Sequence, residues 1–197
     1  MDTTTLIVVG IGVVLVLWAI AVYNRLRQLR NRVDNAFAQI DVQLKRRYDL
    51  IPNLVEVARG YMAHEASTLE AVARARNQAV QASQHLRSHA HDGKALAALT
   101  AAERVLGSDL GRLMMVMESY PDLKADAQMR GLSEEIASTE NRLGFARQAY
   151  NDEVLAYNDQ ASSFPDLIVA RLVGFAHLDM LQATHSEQER AAPQVRF

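Results

Sequence analysis

The sequence contains no cysteine. This absence excludes disulfide bonds, thiolate nucleophiles and metal sites built on thiolates, but a chain without thiols suits oxidising and reducing compartments alike. Aromatic residues are sparse at 6%, and only nine glycines and four prolines interrupt the 197 residues. Because strands are enriched in aromatic and β-branched residues, this composition predicts an all-α protein with a single core.

Neither charge is in clear excess. Lys and Arg number 21 against 23 Asp and Glu, which gives a net charge of −2. Such a balance produces no general attraction to a phosphate backbone, and the sequence has no zinc-finger or RNA-binding aromatic motif. We therefore expect no nucleic-acid partner.

One long uncharged stretch lies near the N-terminus, LIVVGIGVVLVLWAIAVY, from Leu6 to Tyr23. As a helix it spans roughly 27 Å, close to the thickness of the hydrocarbon core of a bilayer. Residues 1–23 are therefore predicted to form a short extracytoplasmic N-terminus and a transmembrane helix. Its membrane-interface residues are predicted to be the aromatic and basic residues near its C-terminal end, Trp18, Tyr23, Arg25, Arg27, Arg30 and Arg32.

The charges beside this stretch predict its orientation. Only Asp2 precedes it and four arginines follow it, so the positive-inside bias places everything after Tyr23 in the cytoplasm. One alternative is a cleavable signal peptide with a site near Ala19–Ala21, although such peptides carry a basic residue before the apolar run. A buried helix of a soluble protein is the other, and it is disfavoured because the run is apolar all round.

From Leu26 onward, apolar residues recur at alternating three- and four-residue steps, which is the spacing of coiled-coil and bundle seams. This stripe predicts a first helix that ends near residue 88, before a turn at Asp92–Gly93. Further helices are predicted over 95–120 and 125–162, and a short fourth helix or two turns within 166–181, with breaks at Pro121 and Pro165 and a weak point at Gly174. Residues 24–182 are thus interpreted as an extended antiparallel bundle of about four long, coiled-coil-like helices, followed by a flexible tail over 183–197. The alternative for the tail is that its final PQVRF docks on the bundle.

Pro52 falls inside the first stripe without shifting its phase. Proline removes a backbone hydrogen bond, here the one that the Tyr48 carbonyl would accept, and its ring crowds the preceding turn. The unchanged phase favours one helix kinked at Pro52. In the alternative interpretation, Asp49 caps a new helix whose first turn contains Pro52.

The predicted helix lengths leave part of the stripe uncovered. Residues 24–88 would reach roughly 95 Å as one helix, whereas the next two helices would cover roughly 39 Å and roughly 57 Å of the distal part. We call the uncovered part the stem, defined by Val33, Phe37, Ile40 and Leu44. Because bare apolar side chains are costly in water, we expect the stem to pack on identical chains in a homo-oligomer, or to fold at Pro52 onto its own bundle.

Several segments in order resemble the LemA family of bacterial membrane proteins: RLRQLRNRVDNAFAQIDVQLKRRYDLIPNLVEVARGYMAHE, YPDLKAD, LSEEIASTENRLGFARQAYNDEVLAYN and FPDLIVA. The resemblance covers nearly the whole chain. It implies a short extracytoplasmic N-terminus, one helix through the bacterial inner membrane and a cytoplasmic bundle of about four helices. It implies no catalytic residues. One branch of the family is involved in magnetosome membranes, which favours a membrane-organising role.

The triplet YND occurs twice, at 150–152 and 157–159. Both tyrosines fall on the apolar stripe, and a buried tyrosine needs a partner for its hydroxyl. We predict a polar seam that fixes helix register, made of Arg46, Arg47, Asp49, Glu140, Arg147, Tyr150 and Tyr157. The alternative is acid–base chemistry by Asp152, Asp159 or Glu140, which requires a cleft and perturbed pKa values.

A histidine-rich segment and a methionine cluster are two further candidate sites. His85, His89 and His91 include a pair four residues apart that could share a metal, but a polar helix end explains them equally. Of Met114, Met115 and Met117, only Met115 is predicted to face outward, so core filling is the simpler interpretation. No metal or cofactor is predicted.

These observations lead to a non-enzymatic, membrane-anchored helical scaffold or adaptor. It is expected to self-associate and to organise proteins or membrane at the cytoplasmic face, with the lipid bilayer, copies of itself and other membrane or cytoplasmic proteins as partners. The alternative is an assembly or quality-control factor for other membrane proteins. A hidden enzyme or metal site in the polar seam is the third hypothesis.

Overall fold

In a computed structural model of the chain, residues 2–89 and 92–181 are described, and they contain helices but no strand. The helices are α1 (Thr3–Tyr61), α2 (Ala66–Ser88), α3 (Gly93–Met117), α4 (Pro121–Ala125), α5 (Ala127–Ser162) and α6 (Asp166–Val173), with a 3-10 turn at Ala63–Glu65. The all-α fold with a long apolar N-terminal helix is therefore confirmed. The predicted tail over 183–197, including PQVRF, lies outside the described residues.

Helix α1 continues through Pro52. Proline has no backbone N–H, so the Tyr48 carbonyl cannot make its usual bond within the helix. Arg76 of α2 donates from Nε to that carbonyl oxygen at 3.1 Å. Arg76 thus supplies the hydrogen bond that Pro52 removes, and the alternative in which Asp49 begins a new helix is wrong.

The chain reverses direction after Tyr61, and the prediction of one helix to residue 88 is wrong. The backbone leaves the helical conformation at Met62, and α2 returns antiparallel to α1 after the 3-10 turn. Asp41 accepts a 2.8 Å bond from Arg87 Nε, and the Tyr48 hydroxyl contacts the Ala79 carbonyl at 3.4 Å. Met62 is fully buried, so the apolar phase continues through the reversal and hides it from periodicity.

The chain divides into two compact units. The bundle unit is Ala38–Gln148, joined by Leu181, and the anchor unit combines Met1–Phe37 with Ala149–Met180. In the bundle unit, the C-terminal part of α1, α2, α3 and the N-terminal part of α5 enclose a leucine-rich core. Its fully buried residues include Leu44, Ile51, Leu54, Leu106, Leu113 and Leu143.

Side-chain caps begin two of the bundle helices. The Asp92 carboxylate accepts from the Lys94 backbone N–H at 2.9 Å, which starts α3 at the predicted turn. Asp126 accepts from the Met129 N–H at 2.9 Å and, through its other oxygen, from the Tyr61 hydroxyl at 3.1 Å. The hydrogen bond from the Met129 backbone N–H is the main cause that lowers the pKa of the Asp126 carboxyl group. The start of α5 is thereby held against the end of α1.

The anchor unit has a small core of its own. Val22 and Leu26 of α1 pack with Ala161 of α5 and with Val169 and Ala170 of α6. Gly174 ends α6 in the left-handed region, with φ of +82°, which a glycine adopts without strain. The Phe175 ring then packs against this core.

The stem is not bare, contrary to the expectation from helix lengths. Val33, Ile40 and Leu44 are each 1% exposed, and Phe37 lies edge-on to Tyr150 with ring centroids 6.0 Å apart. The error follows from the reversal at Met62, which shortens the outgoing helix, and the fold predicted at Pro52 does not occur. Self-association stays a prediction, but an uncovered stem no longer supports it.

The Arg76 bond to the Tyr48 carbonyl can be tested by a double-mutant cycle with Pro52. We expect Arg76→Ala to lower the free energy of unfolding by about 1–3 kcal/mol, because it leaves a carbonyl unpaired. In a Pro52→Ala background the new amide N–H can bond to that carbonyl, so the same change should cost much less. Denaturant unfolding of the detergent-solubilised protein, followed by helical circular dichroism, measures both.

Arg74→Ala is the matched control. Arg74 lies on the same helix and forms an exposed pair with Glu70, so its loss should cost less than about 1 kcal/mol in either background. If Arg76→Ala lowers the free energy of unfolding equally with Pro52 and with Pro52→Ala, the bond to the Tyr48 carbonyl is not the source of the stabilisation by Arg76.

Candidate functional site

A group of charges lies in the bundle unit, in which Arg47 and Glu103 are buried and Glu140 is partly exposed. The Arg47 side chain, on α1, is 5% exposed, and its Nη1 lies 3.1 Å from an oxygen of Glu103 on α3 and 2.9 Å from an oxygen of Glu140 on α5. Arg147, which lies about two turns after Glu140 on α5, approaches the same Glu103 oxygen at 3.7 Å. Two guanidinium groups therefore balance two carboxylates, and three helices are tied together by them. We call these four residues the charge network.

Tyr48 also hydrogen-bonds to Glu103. Its hydroxyl donates to the second carboxylate oxygen of Glu103 at 2.6 Å. Burial, followed by the negative charge of Glu103, raises the pKa of Tyr48 far above its usual range. The phenol thus stays neutral and acts as a hydrogen-bond donor at physiological pH.

A cleft of about 580 Å³ opens beside the charge network, between α3 and α5. Glu103, Arg104, Glu140 and Arg147 line one end of it. Small and apolar side chains line the other end, where α3 contributes Gly107, Gly111 and Met114, and α5 contributes Ser133, Ile136 and Ala137. The cleft therefore offers charge at one end and a shallow apolar surface at the other.

The predicted polar seam is only partly assembled. Arg47, Glu140 and Arg147 meet in the charge network, whereas Arg46 forms a separate, more exposed ion pair with Glu135. Asp49 is exposed and takes no part in the charge network. Sequence reasoning missed Glu103, although a glutamate at a core position between Leu99 and Leu106 was a usable signal.

The tyrosines of the two YND triplets have a different role in the anchor unit. Tyr150 donates to the Asp179 carbonyl at 3.1 Å and Tyr157 to the Ala176 carbonyl at 2.9 Å. Asn158 donates to the Leu178 carbonyl and accepts from its N–H, at 2.9 and 3.0 Å. These bonds fasten the irregular segment after α6 along α5.

The surroundings of both hydroxyls favour the neutral phenol. Burial, followed by the charge of Asp179, raises the pKa of Tyr150 to about 12. Burial also raises the pKa of Tyr157, although Arg30 opposes this effect. Asp152 and Asp159 are exposed, and neither lines the cleft, so the structure does not bring them together with Glu140, which does line it.

The histidine cluster is a helix end. The His85 and His89 rings lie 4.3 Å apart, and His89 Nδ1 is 3.1 Å from the His85 carbonyl oxygen. His91 lies outside the described residues. Across residues 2–89 and 92–181, no group of three or more His, Cys, Asp or Glu side chains is placed to hold a metal ion. Met115 is 72% exposed, as predicted, while Met117 is buried.

The apolar N-terminal part of α1 is exposed over its length. Among the described helices, α1 alone is long and apolar enough to cross a membrane. Its most apolar 18-residue stretch has a mean hydropathy of 2.8, and only 6% of that stretch is buried. Tyr23 contacts the Phe175 ring at 5.7 Å, Arg32 pairs with Glu153 at 2.8 Å, and Arg25 and Arg27 are exposed. The interface role of these residues stays a prediction.

Replacing Glu103 tests whether the charge network stabilises the bundle. Glu103→Gln removes one carboxylate and leaves buried guanidinium charge without its balance, so we expect a loss of about 3 kcal/mol in the free energy of unfolding. Glu135→Gln, which removes the partner of exposed Arg46, should cost less than about 1 kcal/mol. Denaturant titration measures both, and equal costs would contradict a stabilising network.

Comparison with known proteins identifies related sequences. The profile of the LemA family matches residues 36–197. Two magnetosome proteins of Paramagnetospirillum magneticum, MamQ 1 and MamQ 2, are each 25% identical in an alignment of 175 residues, and the match covers 81% of this chain and 64% of theirs. MamQ of Magnetospirillum gryphiswaldense is 25% identical in an alignment of 157 residues, and the match covers 72% of this chain and 58% of that protein.

This chain thus spans about three-fifths of the length of these curated relatives. The family profile covers most of the chain, including the helices that carry the charge network and the cleft. The resemblance seen in the sequence is confirmed, and the chain belongs to the LemA family.

Proposed function

We propose that this protein is a non-enzymatic scaffold anchored in the bacterial inner membrane by one helix, with its bundle in the cytoplasm. The observation that carries this proposal is the continuity of α1. The same helix presents exposed apolar side chains from Leu6 to Ile20 and contributes Leu44 and Ile51 to the bundle core. Binding partners captured by the bundle would therefore be held at the membrane surface.

The exposure of the apolar stretch supports a membrane span. Large side chains such as Val8 and Leu17 are 69% and 61% exposed, and in water each would lose roughly 1.5–3 kcal/mol relative to burial. Cleavage near Ala21 is disfavoured because Trp18, Ala19 and Val22 pack together around the core of the anchor unit. The arginines that follow Tyr23 support a cytoplasmic bundle.

The charge network supports a structural role over a catalytic one. Arg47 contacts both Glu103 and Glu140, and Arg147 contacts Glu103, so the opposite charges neutralise each other. A general acid or base works best with a pKa near the operating pH, whereas the pKa of Tyr48 is moved away from it. The relatives are named as magnetosome proteins, and those names do not describe an enzymatic activity.

The cleft between α3 and α5 is the proposed surface for partners. Its two helix-interior glycines each cost about 1 kcal/mol relative to alanine. A Cβ on Gly111 would meet open space, and one on Gly107 would meet only Arg47 Nη2 at 3.8 Å. The chain's own packing does not require these glycines, whereas a partner helix that approaches closely would.

Self-association belongs to this proposal as a prediction. The buried stem residues Val33, Ile40 and Leu44 are not available to another copy, so identical chains would meet through the cleft or the membrane span. An assembly or quality-control factor would use the same surfaces and differ only in its partner. Both are tested by asking what occupies the cleft.

Filling the cleft tests the proposal. A photo-crosslinking residue at Ser108 in the full-length protein, in its native membrane, should capture membrane-associated proteins or copies of this chain. Gly111→Leu places a large side chain in the cleft, so it should abolish capture without lowering the free energy of unfolding, because leucine favours helices over glycine.

Gly144→Leu is the matched control, since Gly144 is an exposed α5 residue with open space around it and lies away from the cleft. It should leave capture unchanged. Capture that survives Gly111→Leu would contradict docking in the cleft, and a Ser108 probe that captures no protein in the membrane would contradict the scaffold itself.

A further inference from the structure

Helix α6 has two apolar faces, and only one of them is packed. Val169 and Ala170 are buried against Val22 and Leu26 of α1. On another face, Phe164, which directly precedes the Pro165 cap, and Leu172 are 83% and 82% exposed. Ile168 lies between them at 49% exposed, and Val173 extends the patch at 52%.

The spacing of these exposed residues places them together. Ile168 and Leu172 are separated by four residues, so they share one side of α6, and exposed Phe164 lies in the turn immediately before the helix. The residues that flank this side are charged, with Asp166 in the first turn and exposed Arg171 in the last. A continuous patch of large apolar side chains rimmed by polar residues is typical of a docking surface.

The position of α6 indicates what covers the patch. Its inner face packs at Val22 and Leu26, and Trp18 and Ala19 pack against the same core. Tyr23 contacts the Phe175 ring that follows α6. These α1 residues mark the C-terminal end of the apolar span, and the arginines follow directly. Helix α6 therefore lies at the level where the proposed span leaves the hydrocarbon.

We propose that α6 is an interfacial membrane helix, whose Phe164, Ile168 and Leu172 side chains insert into the cytoplasmic leaflet beside the span. The inference rests on the proposed span of residues 6–23. An apolar face of this kind is buried about 5–10 Å into the boundary between headgroups and acyl chains, while a basic residue such as Arg171 reaches the phosphates.

This second contact has a consequence for the anchor unit. Tyr150, Tyr157 and Asn158 fasten the segment after α6 along α5. Insertion of α6 would therefore hold the C-terminal end of α5 at the bilayer surface, in addition to the hold exerted through α1. The membrane contact would then involve two helices that are far apart in the sequence.

Single labels distinguish this proposal from its alternatives, because the chain has no native cysteine. Three single variants, Leu172→Cys, Val13→Cys and Met115→Cys, are each labelled with an environment-sensitive fluorophore as full-length protein in lipid vesicles. Quenchers are placed at a shallow or a deep position of the lipid acyl chains. Each labelled side chain is exposed, so the label does not disturb internal packing.

We expect the Leu172 label to lose fluorescence mainly to the shallow quencher, the mid-span Val13 label mainly to the deep quencher, and the Met115 label to neither. If the Val13 label is quenched and the Leu172 label is not, the α6 proposal is overturned and the span stands. This holds whether the Leu172 side chain lies in water or against another copy or another protein. An unquenched Val13 label would overturn the proposed span as well.

Discussion

Burial of the apolar stripe of α1 is the constraint on which the other features depend. In the anchor unit, Val22 and Leu26 are covered by α5 and α6. In the bundle unit, Leu44 and Ile51 are buried. Two ion pairs, Arg46–Glu135 and Arg47–Glu140, join α1 to α5. The reversal after Tyr61 contributes to this burial in the bundle unit, because it brings α2 back alongside α1. Met62, at the reversal, continues the apolar spacing of α1 and is itself buried.

Polar groups inside this apolar framework are placed where they select one packing arrangement. A buried ion pair adds little net stability compared with apolar residues, but breaking it is costly. The charge network therefore penalises any register in which Arg47 of α1 fails to meet Glu103 of α3 and Glu140 of α5. Arg76 acts similarly on the backbone, since its bond to the Tyr48 carbonyl requires α2 to be aligned with the turn before Pro52.

Periodicity was sufficient to predict the helical class, most of α3 and α5, and the continuity of α1 through Pro52. It failed at the reversal, because Met62 continues the apolar phase and neither proline nor an Asn-Gly or Asp-Gly pair marks the turn. Part of the charge network was predictable, and Glu103 would have been found as a charge at a core position. The partners of Tyr150 and Tyr157 were not predictable, because backbone carbonyls of an irregular segment leave no pattern in the sequence.

The central claim is that each chain covers its own membrane-proximal part of α1. Arg32→Cys with Glu153→Cys tests it, because these side chains form an ion pair at 2.8 Å and the chain has no other cysteine. A short bifunctional thiol crosslinker, applied to mixed membranes containing two differently tagged copies, should join the two cysteines within one chain. Crosslinks mainly between the two tags, or none within a chain, would contradict the account.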